Sequence, residues 1–418
     1  MTKNDASWKQ IFDQLNVMDE VEQKGFFDIS ANQIKEFGNR EPRLMTKFDY
    51  EQSIPPTLKN NQLSILAIRN GLYRIAQTNP YLKIDEGLPE KIISVDFPDD
   101  IISLDPFEIT TESNALDIAY LSGIMDEIFE EKTQLTIRGS FSRGVDFNFS
   151  LQDIKNNPIQ YDVQGVGIEI DSGYEGNSSL NLIEAKIGGR NNLNIRQLLY
   201  PELYWRVNIQ GKKELRNYIL FYQQPVFRFI PFIYDKDSFY VDQTREKAFK
   251  IKTGELFDFH QIEYKEPELV NYDAPFPQAD RFDKVVIIMS KISEYGSVSK
   301  SALQEDLSSD LGLSERQTDY YFNVLKWMKV ADYQDGEITL TPLGKKIEEL
   351  EYYDKMKRLA EIVFSEKIFN IALKSGIEAI PDNLFTEKWR VGSEDSATIP
   401  RRKQTVKMWI EFFEEVFE

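Results

Sequence analysis

The 418-residue sequence predicts an α/β protein: a mixed central sheet flanked by helices, then a module of three helices and a hairpin, then a helical C-terminal region. Three observations predict it. Apolar residues change from helical spacing to strand-like alternation near residue 135. The stretch KEPELVNYDAPFPQAD, 265–280, reads as a linker. Beyond it, three amphipathic segments precede a short hairpin with Asp335-Gly336 at its tip.

In chain order, residues 7–37 have helical spacing with a break at Lys24-Gly25. The segment EPRLMTKFDYEQSIPPTLKNN (41–61) is irregular, because Pro55-Pro56 bars a regular element. A helix is expected over about 62–76, a loop-rich stretch over 77–115, and a helix over 113–131. LTIRGSFSRGVDFNF (135–149) reads as a hairpin with Gly at its bends. VQGVGIEID (163–171) and LNLIEAKI (180–187) read as strands joined by the turn YEGNSS, followed by a helix over 192–208 and further strands. FDKVVIIMSKISEYG, SKSALQEDL and SERQTDYYFNVLKWMKV read as helices, the last with Ser314 as N-cap and Gln317 completing a capping box. Three helices before a β-wing is the order of a winged helix. The expected domains are 1–130, mainly helical and packed on the core; 131–265, the sheet-centred core; a linker, 266–281; a winged helix, 282–345; and a helical region, 346–418.

Composition excludes several classes. The chain has no cysteine, which removes disulfides, a thiol nucleophile and cysteine-ligated zinc. No signal-peptide core and no run of 18 apolar residues is present, so a cytoplasmic protein without a membrane span is expected. No Walker A string is present, so no nucleotide cofactor is expected. His260 is the sole histidine and no G-x-S-x-G accompanies it, so it reads as structural. The net charge of −19 opposes a polyanionic partner. Charge is local, however: residues 184–216 hold seven Lys or Arg against three Glu, and residues 399–410 hold four basic residues and no acid.

The sharpest feature is GIEIDSGYEGNSSLNLIEAKIGGR, 167–190. Side chains alternate along a strand, so Glu169 and Asp171 share one face and Glu184 and Lys186 share another, with Ile168, Ile170, Ile183 and Ile187 opposite. If the strands pair, two or three carboxylates and an ammonium meet on an apolar scaffold. Adjacent carboxylates repel. A hard divalent cation such as Mg²⁺, with Mn²⁺ as substitute, relieves this by taking carboxylates, and the Ala185 carbonyl could complete the protein's share; Glu169 is either a competing candidate for the first ligand or a third acid. The metal would activate a water, and Lys186 would orient it or offset phosphorane charge. The bland alternative is an ordinary acid–lysine surface pair.

These residues resemble the PD-(D/E)XK nuclease superfamily, and more narrowly its type II restriction endonucleases. Asp171 stands at the first acid, without a preceding Pro, and Glu184-Ala185-Lys186 stands at (D/E)-x-K. The resemblance covers about 135–235, with a weaker likeness at 41–49. It implies a restriction-endonuclease-like sheet, Asp171 and Glu184 as metal ligands, Lys186 as catalytic lysine, and Gln197 and Tyr200 on the next helix supporting the site and touching the substrate backbone. It further implies site-specific cleavage of double-stranded DNA by a homodimer. Alternatives are an endonuclease that requires methylated DNA and a non-catalytic winged-helix regulator.

Basic residues supply DNA-contact candidates. Arg190 and Arg196 flank the site and suit bidentate phosphate contact, against the alternative of a solvated helix face. Arg138 and Arg143, beside Gly139 and Gly144, allow close approach to a duplex or simply decorate a tight turn. In the winged-helix segment, Arg316, Gln317 and Thr318 lead the helix expected to enter the major groove, though Asp319 opposes phosphate. Arg401, Arg402 and Lys403 open the final helix and read either as a DNA contact or as a solvated helix start.

Overall fold

In the computed structural model the described residues are 3–141, 146–235, 238–252, 257–265, 269–334, 336–385 and 398–417. The chain divides into two units: 1–92 with 123–221 and 228–248, and 93–122 with 222–227 and 249–418. The architecture is mixed α/β, with a multi-stranded sheet flanked by helices.

The N-terminal part of the first unit has more helix than strand but also carries a sheet of its own. Helices Lys3–Leu15, Val17–Lys24 and Ala31–Gly38 pack on a three-stranded antiparallel sheet. Its strands run in the order Phe26–Ser30, Leu72–Ala76, Ser64–Arg69. The helix expected over 62–76 is therefore a hairpin. Asn70-Gly71 is its two-residue turn, with Gly71 at φ +72°. The apolar residues of this stretch fit both periods, and the turn chemistry decides between them. Ser30 ends the first strand and caps the following helix through a box with Gln33. Trp8, Ile11, Ile29, Ile34, Met45 and Ile75 fill the core between helices and sheet.

The central sheet contains Gln134–Phe141 (β1), Ile168–Glu175 (β2), Ser179–Ile187 (β3), Glu214–Gln223 (β4), Val226–Asp235 (β5) and Ser238–Val241 (β6). They neighbour one another in the order β1-β2-β3-β4-β5, with β6 on β5. β2 and β3 are antiparallel, with Ile183 opposite Ser172 and Leu180 opposite Glu175. The expected hairpin over 135–149 does not form: β1 pairs with β2, while Phe147–Gln152 pairs with Pro158–Val163 in a separate ladder. The alternation is real in both halves, but they do not pair with each other: the first half reaches across to β2 and the second pairs with the strand that follows it. Every residue of β3 is buried, as befits a central strand covered on both faces. The helix Arg196–Ile209 packs on β2 and β3. It carries Leu198, Leu199, Tyr200 and Leu203 into the core.

In the second unit, helix Phe282–Tyr295, strand Val298–Ser299, helices Lys300–Leu311 and Glu315–Trp327, and the hairpin Ala331–Gln334/Glu337–Leu340 follow in that order. The three strands form one antiparallel sheet with Glu337–Leu340 in the middle. Gly344 lies so close to the Val330 carbonyl that a Cβ there would sit 2.0 Å from the oxygen. The helices that follow join the same core. Trp409 of Thr398–Phe417 meets Phe282 at 4.8 Å and Trp327 at 5.9 Å between ring centres. Among the described residues no helix is long and apolar enough to cross a membrane.

Candidate active site

β2 and β3 bring Asp171, Glu184 and Lys186 together. Lys186 is 6% exposed, and its ammonium donates to Glu184 Oε1 at 2.6 Å and to the Ala185 carbonyl at 2.8 Å. Asp171 Oδ2 lies 3.9 Å from the same nitrogen. Asp171 Oδ2 also accepts the Ala185 N–H at 2.8 Å, which locks the acid's strand to the lysine's. Gln197, in the first turn of Arg196–Ile209, donates Nε2 to Glu184 Oε1 at 2.5 Å, and its own buried Oε1 has no hydrogen-bond partner among the described residues. Glu184 is as buried as Lys186, so its charge is held by these donors rather than by water.

Three oxygens from three residues thus converge on one positive charge. All are hard donors, and the ammonium stands in for a cation among them. The residues present fit a small divalent cation at Asp171, Glu184 and the Ala185 carbonyl. Among the described residues no cluster of three or more acids or histidines accompanies them. Glu169 does not join: its side chain is 63% exposed and faces Lys47 at 3.8 Å.

The remaining site residues separate into two groups. Arg196, next to Gln197 in the chain, pairs with Asp49 at 2.7 Å and stays partly exposed. Arg138 is exposed on β1, in the register irregularity between Ile137 and Gly139. Arg190, by contrast, is 3% exposed and donates to the carbonyls of Gly189 and Ile187 at 2.9 and 2.6 Å, with its guanidinium over Tyr50. It closes off the end of β3 rather than reaching out for phosphate. Tyr200 is also inside: its hydroxyl donates to the Ala67 carbonyl at 2.8 Å, and burial pushes its pKa far above the tyrosine range. It packs the helix and does not touch a substrate backbone. Arg143 lies outside the described residues.

The 47–52 segment at the site escaped the sequence reading as a source of site residues. Asn192 accepts the Glu51 N–H at 2.8 Å and donates to Gln52 at 2.9 Å, and Asn194 donates to the Phe48 carbonyl at 3.1 Å. With Arg196 on Asp49, the Asn-rich stretch after β3 straps this segment down, and Lys47 lies between Asp49 and Glu169. The run NNLN was the available signal, since asparagines recruit backbone groups.

In the second unit, Gln317 is committed to its capping box with Ser314. Thr318 is fully buried, with its hydroxyl on the Ser314 carbonyl, so it does not face a groove. Arg316 is exposed and donates to the Tyr320 hydroxyl at 2.6 Å. Arg401 is exposed, Arg402 half-buried over Phe276, and Lys403 paired with Asp382 at 3.0 Å.

Three family models match the chain. Residues 5–75 match a domain of unknown function (DUF6996), residues 76–252 a second (DUF6997), and residues 284–418 a third (DUF7226). No curated protein matches the chain, and no solved structure does.

Proposed function

We propose that the chain is a Mg²⁺-dependent endonuclease of restriction type that hydrolyses phosphodiester bonds in double-stranded DNA. The observation that carries this reading is the convergence of Asp171, Glu184 and the Ala185 carbonyl on the Lys186 ammonium, from two adjacent strands. The likeness of Asp171…Glu184-Ala185-Lys186 to the PD-(D/E)XK pattern supports it, as does a helix that delivers Gln197 to the same carboxylate. The segment 282–340 has the element order and sheet of a winged helix, which suits DNA contact.

Asp171, Glu184 and the Ala185 carbonyl would hold the cation. When bound, it acidifies a water and polarises the phosphoryl group. Lys186 Nζ, a donor held in place by Glu184 and the Ala185 carbonyl, would orient the attacking water or offset the charge that grows on the phosphoryl oxygens. Gln197 keeps Glu184 fixed, so the carboxylate need not reorganise as charge develops. Arg196, held by Asp49 and next to Gln197 in the chain, keeps part of its guanidinium exposed and suits contact with a substrate phosphate.

The test is incubation of plasmid DNA, unmethylated and methylated, with the protein in Mg²⁺ or in EDTA. Discrete bands with Mg²⁺ alone are expected, lost in Glu184→Ala and Lys186→Ala while duplex binding in EDTA persists. Unchanged cleavage by both variants sinks the assignment. Binding without any cleavage would make the chain a DNA-binding regulator instead.

A further inference from the structure

The exposed end of helix Glu315–Trp327 is built differently from a sequence-reading helix. Gln317 spends its amide oxygen on the Ser314 N–H and hydroxyl, and Thr318 is interior. Among the three residues expected to lead this helix into a groove, only Arg316 keeps an exposed cation. It is met from a remote part of the chain: the Arg401 guanidinium, from the final helix, lies 6.0 Å from the centre of the Tyr320 ring, and that of Arg316 lies 5.6 Å from it. Two arginines therefore flank one half-buried phenol. Burial pushes the Tyr320 phenol up, but hydrogen bonds and charge from Arg316 and Arg401 outweigh it and hold its pKa below the usual tyrosine value. Beside them, the buried Nε of Arg402 has no hydrogen-bond partner among the described residues. Asp319, the acid that opposed phosphate here, is neutralised by Lys300 at 2.7 Å and lines the cleft toward the hairpin. In a chain of net charge −19, this concentration of guanidinium groups calls for an anion.

We propose that Arg316 and Arg401 form one phosphate-binding site that docks this helix on the sugar-phosphate backbone of duplex DNA. The inference rests on the DNA reading above. The helix then positions the duplex and does not read its sequence. Planar, permanently charged guanidinium groups suit bidentate contact with a phosphodiester, and the Tyr320 hydroxyl holds the Arg316 fork in place.

The experiment measures binding of the full-length protein to fluorescently labelled duplexes of several unrelated sequences, in EDTA, over a series of salt concentrations. Arg316→Gln and Arg401→Gln are both at exposed positions, so folding is preserved. Each is expected to weaken binding to every duplex by the same factor, on the order of tenfold at low salt, and to lower the slope of log K against log salt by about 1. Gln317→Ala should leave any sequence preference intact, as checked by ranking the same duplexes. If the wild type binds and both arginine variants bind with the same affinity and slope, the site is refuted. Loss confined to one sequence also refutes it, by making Arg316 a base reader. A wild type that binds no duplex overturns this site and the DNA reading together.

Discussion

In the proposed endonuclease Lys186 has two duties that mutation separates. It is buried against a buried carboxylate, so its charge bears on the fold as well as on the proposed chemistry. Removing one partner of such a pair leaves an uncompensated charge in a low-dielectric site, which costs about 3–5 kcal/mol. Lys186→Ala should therefore be destabilised by that amount in EDTA, as read by urea unfolding. If the three oxygens form a cation site, Mg²⁺ fills the place the ammonium leaves, and binding to the folded state alone raises stability by mass action. The Mg²⁺-induced rise in Tm should then be larger in Lys186→Ala than in the wild type, and absent in Glu184→Gln. Equal shifts in all three proteins would speak against a cation at these oxygens. Arg190 offers the complementary case. Its two bonds to Gly189 and Ile187 use the guanidinium fork, which a lysine cannot reproduce. Arg190→Lys should cost about 2 kcal/mol of stability. It should leave the salt slope of duplex binding unchanged, the opposite of a phosphate contact.

At the scale of elements, the β2–β3 hairpin carries the site and is held at its far end by Glu131. The carboxylate accepts the Ser178 N–H at 3.1 Å and the hydroxyls of Ser178 and Ser179 at 3.0 and 2.5 Å. A Cβ at Gly176 would lie 2.3 Å from the Glu131 carboxyl carbon, so a larger residue there would displace the carboxylate from these bonds. These hydrogen bonds, led by that from Ser179, bring the Glu131 pKa from 4.5 down to about 2. A lowered folded-state value means the carboxylate contributes stability above pH 4.5 and loses it as pH falls through about 2. Glu131→Gln should accordingly be less stable than the wild type at neutral pH, with the difference shrinking across that window. Parallel thermal melts at pH 7 and at successively lower pH check this, and a pH-independent difference would contradict it. The hairpin also shows what sequence can give. Asp171, Glu184, Lys186 and Gln197 were legible because strand alternation and one following helix turn fix their relative positions locally. The 48–51 segment was not, since Asn192, Asn194 and Arg196, more than 140 residues on, hold Glu51, Phe48 and Asp49, and no local spacing announces such contacts. The 64–76 hairpin and the partner of β1 failed for related reasons. Apolar spacing allowed two periods in the first, and pairing with β2 across an intervening ladder decided the second.

For the whole molecule, charge and stoichiometry set the remaining expectation. A net charge of −19 repels a duplex at long range, but ions damp that repulsion beyond about 10 Å at 0.1 M salt, so under the proposed function local arginine clusters would hold the DNA. Among the described residues the chain offers one constellation of the Asp171–Glu184–Lys186 kind. In the proposed endonuclease one such constellation would cut one strand at a time, so a double-strand break would require either a second encounter or a second copy bound at the same place. Two identical chains related by a twofold axis match the pseudo-twofold of a duplex, which makes a symmetric pair the economical solution. On supercoiled plasmid with Mg²⁺, linear product should then appear without accumulation of nicked circle once protein is above the concentration at which it pairs. Below that concentration nicked circle should build up, and the rate should rise with roughly the square of protein concentration. Mixing wild type with Glu184→Gln sharpens the test: mixed pairs should nick and not linearise. If the mixture instead linearises at the rate set by wild type alone, each copy completes both cuts by itself, and the pairing requirement falls.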